Sequence, residues 1–180
     1  MPNWCTNQLL VASKDKVKVQ ELFDTFVLNS RVEGVFDILI PTPKELINDT
    51  VPNLDEEKTK KYQELYDARD WYDWRVNNWG TKWDINEVFS SDGIYEDNGL
   101  WAFVCSFDSA WSPPEAAIEK ISTLFENVYF YMDYREEGMG FTGYCSFFNG
   151  EDQGSVTVEA FATADDVSTF LDSYFPRENN

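Results

Sequence analysis

The chain has 180 residues, of which 33 are Asp or Glu, 14 are Lys or Arg and none is His, giving a formal net charge of −19. Without His there is no Ser/His/Asp or Cys/His triad, no HExxH centre and no His-ligated metal, since imidazole is the usual proton carrier near neutral pH and the commonest metal ligand. Hydrophobic residues at 43% and aromatic residues at 17% set the sequence apart from disordered chains and predict one folded domain over residues 1–180.

Charge is unevenly placed. Residues 1–90 carry 11 basic and 16 acidic side chains, whereas residues 91–180 carry 3 and 17, so the second half is the polyanion. Such a surface repels nucleic acid and anionic membranes and attracts basic grooves, with salt-dependent association; solubility is its simpler role. Three widely spaced cysteines, Cys5, Cys105 and Cys145, are too few for a usual four-ligand zinc set and are expected as free, buried thiols in a reducing compartment. The opening Met1-Pro2-Asn3-Trp4 has no basic stretch leading into an apolar core, and no apolar run approaches the ~18 residues of a spanning helix, so a cytoplasmic location is expected. Walker-type and dinucleotide-type glycine loops are missing. With 33 acids, chance carboxylate pairs are common and do not mark an acid/base centre. No catalytic residue, cofactor or metal site is assigned.

The apolar run Asn7–Ala12 predicts a buried strand, and Ser13 is expected to cap a helix with its stripe at Val19, Leu22, Phe23 and Phe26. Phe36–Ile40 (FDILI) is expected to be a strand ended by Pro41-Thr42-Pro43. The span 41–83 is predicted as a helical insertion, with Tyr62, Leu65, Tyr66 and Arg69 at helical spacing. Strands are expected at Ile85–Phe89 and Leu100–Phe107, around the turn-forming pairs Asp92-Gly93 and Asn98-Gly99.

Ser112-Pro113-Pro114-Glu115 has the form of a capping box, followed by the stripe Ile118, Ile121, Phe125. Val128–Tyr134 and Gly140–Phe148 predict an antiparallel pair, and Asn149-Gly150 a further turn. Residues 149–180 form a C-terminal extension, with a strand at Ser155–Phe161 and a helix from Thr163 with Val167, Phe170, Leu171 and Tyr174. The element order favours an α+β fold, a ferredoxin-like sandwich of a mainly antiparallel sheet with helices on one face.

Two regions are candidates for binding. The loops around Asp133, Glu136 and Glu137 and around Glu151 and Asp152 gather carboxylates at the ends of one strand, as one patch or two, and are the first candidate partner-binding positions. The segment 71–84 holds four of seven tryptophans; Trp74, Asn78, Trp79, Lys82 and Trp83 form the alternative site, able to stack on bases or anchor a partner. A helix end packing tryptophan onto a sheet has the same pattern, and in that reading Trp79 and Trp83 are mostly buried. Ala110-Trp111-Ser112-Pro113-Pro114 suits a rigid turn with a tryptophan plug.

Met1-Pro2-Asn3-Trp4-Cys5-Thr6-Asn7, Asn78-Trp79-Gly80-Thr81-Lys82-Trp83-Asp84, Ala110-Trp111-Ser112-Pro113-Pro114, and Glu136-Glu137-Gly138 with Phe141-Thr142-Gly143 together resemble the YubB-type ferredoxin-like family of small phage and conjugative-plasmid proteins. The resemblance spans about residues 1–148. It implies a ferredoxin-like core in the cytoplasm of a bacterial host and brings no catalytic residues. It also implies, by analogy with accessory genes of such elements, an anti-defence inhibitor whose partner is a basic host protein such as a nuclease, restriction or CRISPR component. The oligomeric state stays open. From charge alone, the purified chain is expected to bind neither duplex nor single-stranded nucleic acid at about 0.15 M salt, since −19 opposes a polyanion; a micromolar anisotropy isotherm would contradict this.

Overall fold

A ten-residue strand, β1 (Trp4–Ser13), opens the fold and alternates strictly, with Cys5, Asn7, Leu9, Val11 and Ser13 buried. The computed structural model describes residues 3–85 and 87–159. Helix α1 (Lys16–Phe23) starts at Asp15, whose carboxylate accepts the amides of Val17 and Lys18. Ser13, expected as the cap, instead accepts the Asp15 amide and donates to the Asn127 carbonyl. The helix runs on into a π-helical turn, Asp24–Leu28, with Phe26 buried, followed by the single turn α2 (Ser30–Glu33).

Residues Phe36–Ile40 do not form the expected strand; Phe36–Leu39 is a helical turn, α3. The cause lies far along the chain. The Asp84 carboxylate accepts the amides of Val35 and Phe36 at 2.8 Å and that of Asp37 at 2.8 Å, supplying from a distance the cap that local sequence lacks. The predicted insertion is helical: α4 (Lys44–Ile47), α5 (Glu56–Tyr66) capped by Asp55, and α6 (Trp71–Trp79) capped by Asp70 and stopped by Gly80 in the left-handed region.

Three strands follow, β2 (Val88–Ser91), β3 (Tyr95–Asp97) and β4 (Leu100–Ala110). The first begins three residues later than Ile85–Phe89 predicts, because Ile85 is buried in the core beside the Asp84 cap. Asn98 and Gly99 both take positive φ, the geometry of a tight hairpin turn. Helix α7 (Glu115–Leu124) buries Ala117, Ile118 and Ile121. Its expected capping box is absent: the Ser112 hydroxyl donates to the Gly80 carbonyl at 2.5 Å, so it serves the loop after α6 and not its own helix. The strands β5 (Val128–Glu136), β6 (Phe141–Phe148) and β7 (Glu151–Glu159) complete the described chain, β6 and β7 joined at Asn149-Gly150. The strand expected at Ser155–Phe161 thus begins earlier, and the helix expected from Thr163 lies outside the described residues.

The sheet order is β2-β4-β1-β5-β6-β7, with β3 also paired to β4, and every pairing is antiparallel. Within it, β1, α1, β2, β4, α7 and β5 make a ferredoxin-like core. β1 and β2 run parallel with β4 between them, while β4 and β5 run parallel with β1 between them. β6 and β7 widen the sheet beyond β5. Helix α1 packs on β1 and β4, and α7 on β5 and β6. The core under them joins Leu9, Val11, Phe103, Phe107, Phe130 and Met132 to Trp79.

Trp79 is fully buried, its ring 5.6 Å from Phe36 and 6.1 Å from Trp74, and its indole N–H donates to the Ile40 carbonyl at 3.0 Å. It ties the helical insertion to the sheet. Trp79→Ala is expected to lower the unfolding free energy by about 3–5 kcal/mol, measured by urea denaturation.

Candidate functional site

The acidic positions singled out in the sequence do not form one patch. β6 pairs Phe141 with Glu136 and Phe148 with Glu151, so the two loops lie at opposite ends of a strand, about 23 Å apart at ~3.3 Å per residue. Glu136 is buried and accepts the amides of Gly138 at 2.8 Å and of Met139; it shapes the β5–β6 turn and offers no contact surface. Glu137 is exposed and pairs with Arg135 at 3.2 Å. Glu151 is exposed at the other end, beside Asp152, which accepts the Gly154 amide and the Ser155 hydroxyl.

Asp133 stands apart from both loops, on the face of the sheet away from the helices. The strand register places it level with Gln8, and with Ser106 and Tyr144. Asp133, Gln8 and Ser106, with Thr6, Phe89, Tyr131 and Arg135, line a shallow cavity of about 490 Å³. Tyr131 and Tyr144 stack at 5.8 Å. Burial pushes the Asp133 carboxyl above the usual carboxylate range, and burial likewise pushes the Tyr131 hydroxyl up to about 12.

Asp152 is joined by carboxylates that the sequence did not single out. Between α7 and the β6–β7 pair runs an open groove of about 690 Å³. Its floor includes Tyr134, Phe141 and Phe147, and its rim carries Glu115, Glu119 and Asp152, with no Lys or Arg among the described lining residues. The Tyr134 hydroxyl shares a 2.6 Å hydrogen bond with Thr157. Burial, with Glu115 nearby, holds its proton well above the ordinary tyrosine range. In the sequence Glu115 has only the place of a capping-box residue and Glu119 has no signal; the packing of α7 beside β6 brings both to Asp152.

The alternative, tryptophan-rich site divides. Trp74 and Trp79 are buried, and Asn78 accepts a hydrogen bond from Lys120. Lys82 and Trp83 instead reach the surface, where Trp83 is 37% exposed and lies 6.1 Å from Trp4. Trp83 therefore departs from the mostly buried placement expected of it: the chain turns at Gly80 (φ 79°), leaving Trp83 past the helix end that packs Trp79. The Lys82 ammonium stands 4.0 Å over the Trp83 ring and 5.8 Å from that of Trp111. Segments distant in sequence meet here: the Trp111 amide donates to the Asn3 carbonyl, Thr81 bonds both ways with Ala110, and Gly138 leaves no room for a Cβ against the Asn3 side chain. The stretches that carried the resemblance gather at one pole of the sheet. Of these, Trp4 and Trp111 are exposed, though no local pattern in the sequence marks them for binding.

The thiols are free and buried as expected. Burial pushes Cys5 and Cys105 up to about 12, and Cys145 up as well, which removes them from nucleophilic use near neutral pH. Among the described residues, no group of three or more Cys, Asp or Glu is arranged to hold a metal ion, and no helix is long and apolar enough to cross a membrane.

A family model described as the ferredoxin-like domain in Api92-like protein matches residues 78–169. Among solved structures, protein api92 from Yersinia pseudotuberculosis is similar in fold, with a TM-score of 0.51 over 91% of this chain and 100% of that chain at 12% identity. No curated protein matches the chain.

Asp133 supplies a test of the open face. Its folded pKa is raised, so burial of the charged carboxylate opposes folding above that pKa, and the cost disappears as pH falls through it toward the ordinary aspartate value. Asp133→Asn is therefore expected to melt higher than the parent near pH ~7, with the gap closing below about pH 4; thermal melts across that range measure it.

Proposed function

The chain belongs to the family of Api92-like proteins with a ferredoxin-like domain, and from that premise we propose that it is a non-enzymatic binding protein that engages a basic macromolecule through its carboxylates. The observation that carries this reading is the lack of counter-charge. Among the described residues, Glu137 is the one carboxylate of the second half held in an ion pair. Glu96, Asp97, Glu119, Glu126, Glu151 and Asp152 face solvent. Unbalanced like charge destabilises a compact fold through self-repulsion, and complementary charge on a partner relieves it while speeding encounter. The groove rimmed by Glu115, Glu119 and Asp152 adds an apolar floor to that charge, which suits the stem and head of a long cationic side chain.

In its sharper form, the carboxylates imitate backbone phosphates, and the target is a host nuclease, restriction or CRISPR component met in the bacterial cytoplasm. The likeness to YubB-type proteins of phages and conjugative plasmids supports that setting, and the excess of carboxylates over cations supports the mimicry. A second reading, a nucleic-acid or small-ligand module built on the tryptophan segment, draws on the exposed rings of Trp83 and Trp111, against the opposing net charge.

Affinity capture from bacterial lysate, compared at low and high salt and with duplex DNA as competitor, separates the readings. A basic protein retained at low salt, released by salt and displaced by DNA is the expected result. Retention insensitive to both would move the function off the carboxylates. Replacing Glu119, Glu151 and Asp152 by Gln or Asn is expected to slow association with that partner and flatten its salt dependence, with little change in melting temperature.

A further inference from the structure

At the pole where Trp4 meets Trp83, a third cleft, of about 310 Å³, is lined by Trp4, Trp83, Phe89, Asp84, Glu87 and Asp108. Its rings are unusually open for such large apolar groups: Trp4 is 49% and Phe89 54% exposed. Large exposed aromatic surface held on rigid backbone is the composition of interface anchors, because a flat ring buries much area at little rotamer cost. The rigidity has a source here. Trp4 sits on β1, the central strand, and Trp83 follows Thr81, which is locked to the Ala110 backbone.

The charges around the rings narrow the occupant. No Lys or Arg is among the described residues lining the cleft. Asp84 is spent on the amides of Val35, Phe36 and Asp37, and Glu87 pairs with Arg31 across an exposed 2.6 Å contact. Asp108 accepts a hydrogen bond from the Thr6 hydroxyl at 2.8 Å and carries no ion pair among the described residues. Lys82 stands over the Trp83 ring and Arg31 is paired with Glu87, so the Trp4 and Phe89 rings and the part of Trp83 that lines the cleft, beside Asp108, are what attract an organic cation by ring quadrupole and charge together. The chain already uses the same chemistry internally, in Lys82 over Trp83, Lys16 at 3.9 Å over Trp101 and Arg75 at 4.5 Å over Trp79.

We propose that the Trp4–Trp83–Phe89 cleft is a subsite for a single Arg or Lys side chain of the basic partner, with the cation against the indoles and its charge answered by Asp108. The proposal rests on the reading of the chain as a binder of basic protein and gives it a point of attachment distinct from the diffuse acidic surface. Guanidinium and ammonium are the two sources of the cation.

The test uses the full chain with indole nitrogens labelled and three blocked peptides, acetyl-Gly-Arg-Gly-amide, its Lys counterpart and the neutral citrulline isostere. The Trp4 and Trp83 indole signals, assigned through single Trp→Phe variants, are expected to shift saturably with the Arg or the Lys peptide, and whichever binds more tightly identifies the head group. Citrulline should bind at least about five-fold more weakly. Trp83→Ala and Asp108→Asn should each weaken the cationic peptide by a few-fold. Asp108→Asn preserves shape, so its effect survives if Trp83→Ala proves unstable. Indole signals that do not move, equal binding of citrulline, or preferential shifts with oligo-dT would overturn the subsite. Salt-sensitive capture of a basic protein that persists in Asp108→Asn and Trp83→Ala would overturn the subsite alone and leave the broader reading standing; loss of capture in the parent would remove the broader reading whatever the peptides do.

Discussion

The side-chain amide of Asn7 is fully buried in the central strand, and the order of the whole pole follows from satisfying it. The two hydrogens of its Nδ2 are shared among three acceptors, the Cys5 and Phe107 carbonyls at 2.9 and 3.2 Å and the Ser109 hydroxyl at 2.9 Å. Ser109 in turn donates to the Ser112 carbonyl at 2.7 Å, and the Ser112 hydroxyl to Gly80. Thr81 closes the chain of bonds onto Ala110. An unpaired buried amide costs about 1–3 kcal/mol, so the network holds together as a unit or fails as one. It fixes the exit of β4, the loop after α6 and the start of α7 relative to β1.

What the sequence made legible was whatever local pattern governs. Strand alternation, the stripes of α1 and α7, the Asn-Gly turns and the helical character of 41–83 rest on neighbours within a few positions, and these carried the ferredoxin-like assignment. Phe36–Leu39 shows the opposite case: its apolar run is compatible with a strand, and a carboxylate at position 84 decides for a helix. Asn7, read as the start of an apolar run, is the polar hub beneath it. Ser112 had the right spacing to cap α7, but its hydroxyl is turned to donate to the Gly80 carbonyl and accepts no capping bond from α7.

Candidate binding residues were less legible than the fold, because exposure is a property of tertiary packing. Glu136 and Glu137 are adjacent in sequence and differ completely, one buried against turn amides and the other in solvent, since Glu136 ends β5 on its buried face and Glu137 begins the turn beyond it. Trp79 and Trp83 differ for a related reason: one lies on the helix and the other past its end. Asp152 was legible as an acid but its groove was not, and Asp108 carried no signal until Trp4 and Trp83 were seen beside it.

The position of β1 has a consequence for assembly. β4 and β5 run parallel and never touch; β1 fills the space between them, although it precedes β4 by nearly the whole helical insertion. The segment matched by the family model, residues 78–169, begins after β1. Expressed alone, that segment would carry a vacant lane one strand wide in the middle of its sheet, bordered by two unsatisfied strand edges, and such edges recruit foreign strands or aggregate. A peptide with the sequence Trp4–Ser13, added in trans, has the register and the alternation to complete it, which makes the fold a natural candidate for splitting into two complementing pieces.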